Sequence, residues 1–114
     1  MEKENVIEGL AALAQETRLD IVRFLVRRGA DGAAAGEIGE QLGVPAATLT
    51  FHLNILKGAG LLVRRRVSRN IIYRADFALL QRMMGYLLDN CCAEENCAPA
   101  ESEGTRALRR RVAN

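Results

Sequence analysis

The chain has 114 residues, 49% of them hydrophobic and 26% charged, and a formal net charge of only +2. That length suits one domain, which buries about 65% of its unfolded surface, so stability is marginal and self-association would help. No apolar run approaches the roughly 20 residues that cross a bilayer, and the charged opening Met1-Glu2-Lys3-Glu4 leads into no signal peptide, so a cytoplasmic protein without a membrane partner is expected.

Aromatic residues make up 4% and tryptophan is absent, so the core must be aliphatic, which favours packed helices. Val6, Leu10 and Leu13 recur at helical spacing and predict a first helix over residues 3–14. Thr17 with Asp20 three residues on matches a capping box and introduces an apolar face of Leu19, Val22, Leu25 and Val26. Arg27 and Arg28 suit that second helix's C-terminal dipole end, and Gly29 stops it. Residues 30–35 read as a loop of small side chains. Ile38 and Leu42 lie four apart on a short third helix, with Gly43 as its left-handed stop. Val44-Pro45 re-enters a fourth helix that carries Leu49, Leu53 and Leu56 inward and ends near Gly58 or Gly60. Two short helices joined by about three residues, one of them glycine, form a helix-turn-helix pattern.

Leu62 to Arg66 and Ile71 to Ala75 have strand composition, with Val67-Ser68-Arg69-Asn70 as the turn. Between Arg64 and Arg74 there are five arginines and no acid, whereas Asp89 to Glu103 holds five acids and no base. The first block suits a phosphate backbone and the second repels one. A last helix starts at Asp76 or Phe77, with Phe77, Leu80, Met84, Leu87, Leu88 and Cys91 along one stripe. The expected organisation is a mainly α domain with a small β-hairpin, in the order αααα-ββ-α, over residues 1–92. Residues 93–114 form an extension with a frayed, polar tail.

A helix-turn-helix followed by a basic hairpin is a winged helix-turn-helix, whose second helix enters the major groove of double-stranded DNA. With Leu49, Leu53 and Leu56 inside, the exposed face of the fourth helix carries Ala46, Ala47, Thr50, Phe51 and Asn54, with Thr48 and His52 at its edges and Lys57 in its last turn. Thr50 and Asn54 can hydrogen-bond base edges, while Phe51 or the alanines can meet a thymine methyl. Arg64, Arg65, Arg66 and Arg69 supply phosphate affinity without sequence choice. An arginine run can equally be a plain solvated face, and His52 a cap on a neighbouring carbonyl. The order and lengths of the elements weigh more than any one residue.

The stretch Glu16-Thr17-Arg18-Leu19-Asp20-Ile21-Val22-Arg23-Phe24-Leu25 resembles the second-helix signature of the ArsR/SmtB metal-responsive repressors. Residues 50–61, Thr50 through Leu61, resemble that family's recognition helix running into the wing, and Arg69 through Tyr73 is similar to its second wing strand. The resemblance covers roughly residues 5–92. It implies a homodimer formed through the first and last helices, bound across a partly palindromic operator and released by an inducer. Ala46 and Phe51 stand where many relatives carry polar residues.

Cys91, Cys92 and Cys97 are the only cysteines and fall within seven residues, so a disulfide framework is a poor explanation. Thiolates prefer soft ions. Three sulfurs without a histidine nearby suit pyramidal As(III) or Sb(III), whereas a closed zinc site wants a fourth ligand. On a regular helix Cys91 and Cys92 would point about 100° apart, so their convergence needs a turn. The arrangement resembles the Cys-Cys…Cys arsenite site of one branch of the family. This reading makes the chain an arsenite- or antimonite-released repressor without an organic cofactor. A cadmium or lead sensor, or a repressor switched by oxidation of the same thiols, remains the alternative. A thiol enzyme is disfavoured, because an activated thiolate wants a helix N-terminus or cations. These cysteines follow a helix C-terminus beside Asp89, Glu94 and Glu95.

Overall fold

The computed structural model describes residues 1–94. Five α-helices and a three-stranded antiparallel sheet follow in the order α1 (Lys3–Leu13), α2 (Glu16–Arg28), β1 (Ala33–Ala34), α3 (Ala35–Leu42), α4 (Ala46–Gly58), β2 (Leu62–Val67), β3 (Asn70–Ala75) and α5 (Phe77–Leu88). The expected mainly α chain with a β wing is therefore present, with one strand more than the hairpin.

That extra strand lies where a loop is expected. After α2 the chain makes a single 3-10 turn, Gly29–Asp31, and Ala33 and Ala34 then pair with Tyr73 and Ile72 of β3. Two alanines carry no strand preference; the pairing exists because β3 offers an open edge beside them. The sheet order is β1-β3-β2, so β3 is central. The hairpin register runs from Leu62↔Ala75 to Val67↔Asn70 and closes with the two-residue turn Ser68-Arg69, where Ser68 has φ 59°. A positive φ at the first central residue is how such turns match strand twist.

The α2 register also differs from expectation. Gln15, not Thr17, caps the helix: its side-chain oxygen accepts the Arg18 backbone N–H at 2.9 Å. Only Ala14 and Gln15 connect α1 to α2, so the helix starts before Thr17 is reached. Ile21, Val22 and Leu25 face the core, while Leu19 and Val26 are exposed. Arg28 pairs with Glu37 of α3 and lies over the Phe24 ring, 5.1 Å from its centroid.

The core is aliphatic, as composition requires: Ile21, Leu25, Ile38, Leu53, Leu56, Leu61 and Met83 are its largest fully buried side chains. Gly43 ends α3 at φ 68°, ψ 34°, the left-handed conformation expected of it. Pro45 caps α4 and its carbonyl accepts the Leu49 N–H at 2.8 Å. On α5 the expected stripe splits. Asp76 caps the helix through the Leu79 N–H. Phe77, Leu79 and Leu80 pack on the core and Met83 is buried in it. Met84, Leu87 and Leu88 point to solvent, Leu88 at 67% exposure, as does Ile7 of α1 at 58%.

Candidate nucleic-acid interface and thiol site

The face of α4 follows from its buried side. Leu49, Leu53 and Leu56 turn inward as expected, leaving Ala46, Ala47, Thr48, Thr50, Phe51, Asn54 and Lys57 exposed. Thr50 donates its hydroxyl to the Ala46 carbonyl at 3.0 Å. Its proton is committed within the helix, and only its oxygen lone pair and methyl remain for a base edge. Phe51 is 60% exposed, large and apolar in the middle of that face.

His52 is a correction. It is 8% exposed and belongs to the inward stripe, between α4 and α2. Arg18 Nη1 lies 3.2 Å from His52 Nδ1, while Arg18 Nε donates to the Ala12 carbonyl at 2.6 Å. A guanidinium only donates, so Nδ1 accepts and the ring is neutral with its proton on Nε2. Arg18 thus ties the end of α1 to the middle of α4, a role that the sequence pattern did not disclose. The His52 ring also meets Phe51 edge-on, with centroids 5.4 Å apart and planes at 66°. Burial, with a smaller contribution from the Arg18 charge, holds the His52 pKa below its ordinary 6.5.

A depressed histidine pKa means that the folded chain binds fewer protons than the unfolded one, so stability rises with pH. The contribution of His52 is full above about pH 6.5 and is lost as pH falls from there through the lower folded value. Thermal melts between pH 8 and pH 5 should therefore show a decline below about 6.5 that His52→Gln reduces. Parallel wild-type and variant profiles would exclude the buried ring as its source.

The wing presents its charge on both faces. Arg64, Arg65 and Arg66 on β2 and Arg69 in the turn are all exposed. Strand alternation puts Arg64 and Arg66 on the side of Leu62 and Tyr73, and Arg65 on the opposite side with Val63 and Arg74. One row of phosphates cannot meet all of them equally.

Beyond α5 the chain turns rather than continuing as helix. Asn90 and Cys92 have φ 59° and 61°, and Cys91 and Cys92 hold their sulfurs 3.5 Å apart. The turn does what a regular helix could not. Two sulfurs each about 2.3 Å from one zinc-sized ion would lie at such a separation. Cys91 is a free, exposed cysteine and Cys92 is disulfide-bonded. Cys97, with the rest of the expected tail, lies outside the described residues. Among the described residues no group of three metal-ligating side chains comes together, and no helix is long and apolar enough to cross a membrane.

Comparison with known proteins resolves the class. A helix-turn-helix domain family matches residues 13–69. The biofilm growth-associated repressor of Xylella fastidiosa strain 9a5c is 31% identical over 89 residues, 78% of this chain and 75% of that one. The solved ArsR-like transcriptional regulator of Rhodococcus sp. RHA1 superposes with a TM-score of 0.69 at 29% identity, covering 96% of this chain and 88% of that one. This chain belongs to the ArsR/SmtB family. Within that family it is a winged helix-turn-helix transcriptional regulator, not an enzyme, and α4 is the second helix of its DNA-binding helix-turn-helix. The uncharacterised helix-turn-helix regulator YceK of Bacillus subtilis is 38% identical over 58 residues, 51% of this chain and 57% of that one. A further solved structure, the homodimeric winged helix-turn-helix DNA-binding domain of Mb0332 from Mycobacterium bovis, gives a TM-score of 0.61 at 26% identity, covering 83% of this chain and 88% of that one.

Proposed function

We propose that this regulator is a cytoplasmic homodimeric repressor that binds operator DNA and is released when As(III) or Sb(III) is held by Cys91, Cys92 and Cys97. The observation that carries the inducer reading is the turn after α5, which brings Cys91 and Cys92 sulfurs to 3.5 Å. Cys92 is disulfide-bonded, so the reading applies to the reduced protein, in which all three sulfurs are thiols. Dimerisation through α1 and α5 is supported by the apolar side chains that they leave in water, Ile7, Met84, Leu87 and Leu88. It is supported too by the homodimeric Mycobacterium bovis relative. The inducer site would then sit at the end of a dimer helix. Fixing its shape there alters the spacing of the two reading helices, and couplings of about 5–150-fold are usual for such linkage.

A second reading has an observation of its own. Cys92 is disulfide-bonded, so oxidation of the same thiols is a competing switch. Operator-bound protein titrated separately with arsenite, antimonite, cadmium and peroxide separates the two. Arsenite should lower affinity about 5–150-fold, and Cys91→Ser, Cys92→Ser and Cys97→Ser should each remove much of that effect, because sulfurs sharing one ion act as a unit. X-ray absorption of the arsenite complex should show three sulfur ligands. Undiminished arsenite release from the triple Ser variant would remove these cysteines as the inducer site. Release by peroxide alone, reversed by dithiothreitol, would establish the redox switch instead.

A further inference from the structure

The exposed face of α4 has an unusual chemistry for a reading helix. From Ala46 through Asn54 it carries two alanines, two threonines, Phe51 and Asn54, and no arginine, lysine, glutamine or carboxylate. Lys57, in the last turn, is its first charge. The commonest specific contact to guanine is a bidentate arginine or lysine on O6 and N7, and cytosine is read by a carboxylate. The centre of this helix offers neither. What it offers is an asparagine, whose amide pairs with adenine N6 and N7, and a set of apolar groups that fit the thymine 5-methyl. Thr50 adds to the apolar side, because its hydroxyl proton is given to the Ala46 carbonyl at 3.0 Å.

Phe51 dominates this set. Its ring is 60% exposed, yet it leans edge-on against His52 at 5.4 Å, and His52 is itself fixed by Arg18 at 3.2 Å. The ring is therefore held in place before DNA arrives, which reduces the entropy lost on binding. The basic strand β2 beside α4 supplies the phosphate affinity that an uncharged helix lacks. An apolar ring held in the middle of a reading helix, beside a wing that provides the charge, has its complement in the methyl-lined major groove of A·T pairs.

We infer that Phe51 is a specificity-determining residue that reads thymine 5-methyl groups, and that the half-sites bound by α4 are A·T-rich. The inference rests on the operator-binding reading above. It adds that the bases are distinguished mainly by an apolar contact, with Asn54 reading adenine beside it.

The test starts from a fully randomised duplex library, selected with the whole protein. The recovered half-site is then synthesised with each thymine replaced in turn by deoxyuridine, which removes the 5-methyl and leaves base pairing intact. Wild-type protein should bind the deoxyuridine duplex roughly fourfold more weakly for each methyl that is read. Phe51→Ala should weaken binding to the thymine duplex by at least as much and erase the difference between the two duplexes. Phe51 is mostly in solvent, so this variant should keep its fold, which circular dichroism checks directly. Arg66→Ala should weaken both duplexes while preserving their difference. Equal wild-type affinity for thymine and deoxyuridine at every half-site position would overturn the inference while leaving operator binding intact, and so would G·C-only half-sites. Recovery of no duplex at all would instead overturn the operator-binding reading on which it stands.

Discussion

Replacing Arg64, Arg65, Arg66 and Arg69 together by alanine should flatten the salt dependence of DNA binding and weaken all duplexes alike. A dimer would present eight of these guanidinium groups. Removing one arginine–phosphate pair lowers the slope of log affinity against log salt by about 0.9. Alternation along β2 sets Arg65 against Arg64 and Arg66, so between four and eight such pairs are at stake, a slope change of about four to seven. For a protein that neutralises six to ten phosphates, affinity falls by roughly 10³–10⁵ between 50 and 200 mM salt. The variant should be weaker throughout and markedly less sensitive to salt over that range. Fluorescence anisotropy on a selected and a scrambled duplex reads both quantities. A variant that bound only the selected duplex more weakly would place the wing in base reading rather than phosphate binding.

Gly32→Ala should be among the most damaging single substitutions outside the core. Gly32 has φ 61° and ψ −153°, a region open essentially to glycine alone and costing about 1–3 kcal/mol elsewhere. A side-chain carbon there would also collide with the Tyr73 carbonyl oxygen of β3, which is backbone and cannot step aside. Strain and clash together should cost about 3 kcal/mol or more, which for a domain of this size lowers the melting temperature by about 12–24 °C. Gly36→Ala is the control. An added carbon at Gly36 meets nothing within 4 Å, and alanine in a helix is better than glycine by up to about 1 kcal/mol. Thermal melts of the two variants should move in opposite directions. Equal, small shifts would mean that the β1–β3 junction relaxes without cost.

Local chemistry explains which elements sequence alone reveals. Gly43 after Leu42 and Pro45 before α4 are punctuation with one physical meaning each, and the helix-turn-helix is where they put it. Leu49, Leu53 and Leu56 are legible for the same reason: one helical stripe, one core. The same stripe contains His52, three residues after Leu49 and four before Leu56. Periodicity could have placed it inside, but a histidine on a reading helix invites a DNA role. On α5 there are two apolar faces and the sequence does not say which meets its own core. Met83 does, while Met84, Leu87 and Leu88 do not. β1 is illegible because its two alanines carry no strand signal of their own and are held by the edge of β3. The thiol turn depends on positive φ at Asn90 and Cys92, a conformation that favours asparagine but rarely cysteine.

The sheet order β1-β3-β2 has a consequence for how the protein survives at high concentration. A central β3 leaves two outer edges, and exposed edges are templates on which other chains can add strands. On one side the outer strand is only the two residues of β1, paired with Tyr73 and Ile72 of β3, which is short for a template. On the other it is β2, six residues long, and three consecutive arginines occupy its middle. A second copy approaching edge-to-edge would bring like charges together across the new ladder, which is unfavourable. The run that suits phosphate therefore also keeps neighbouring copies from stacking wing on wing, so neutralising it should favour aggregation as well as weaken DNA binding.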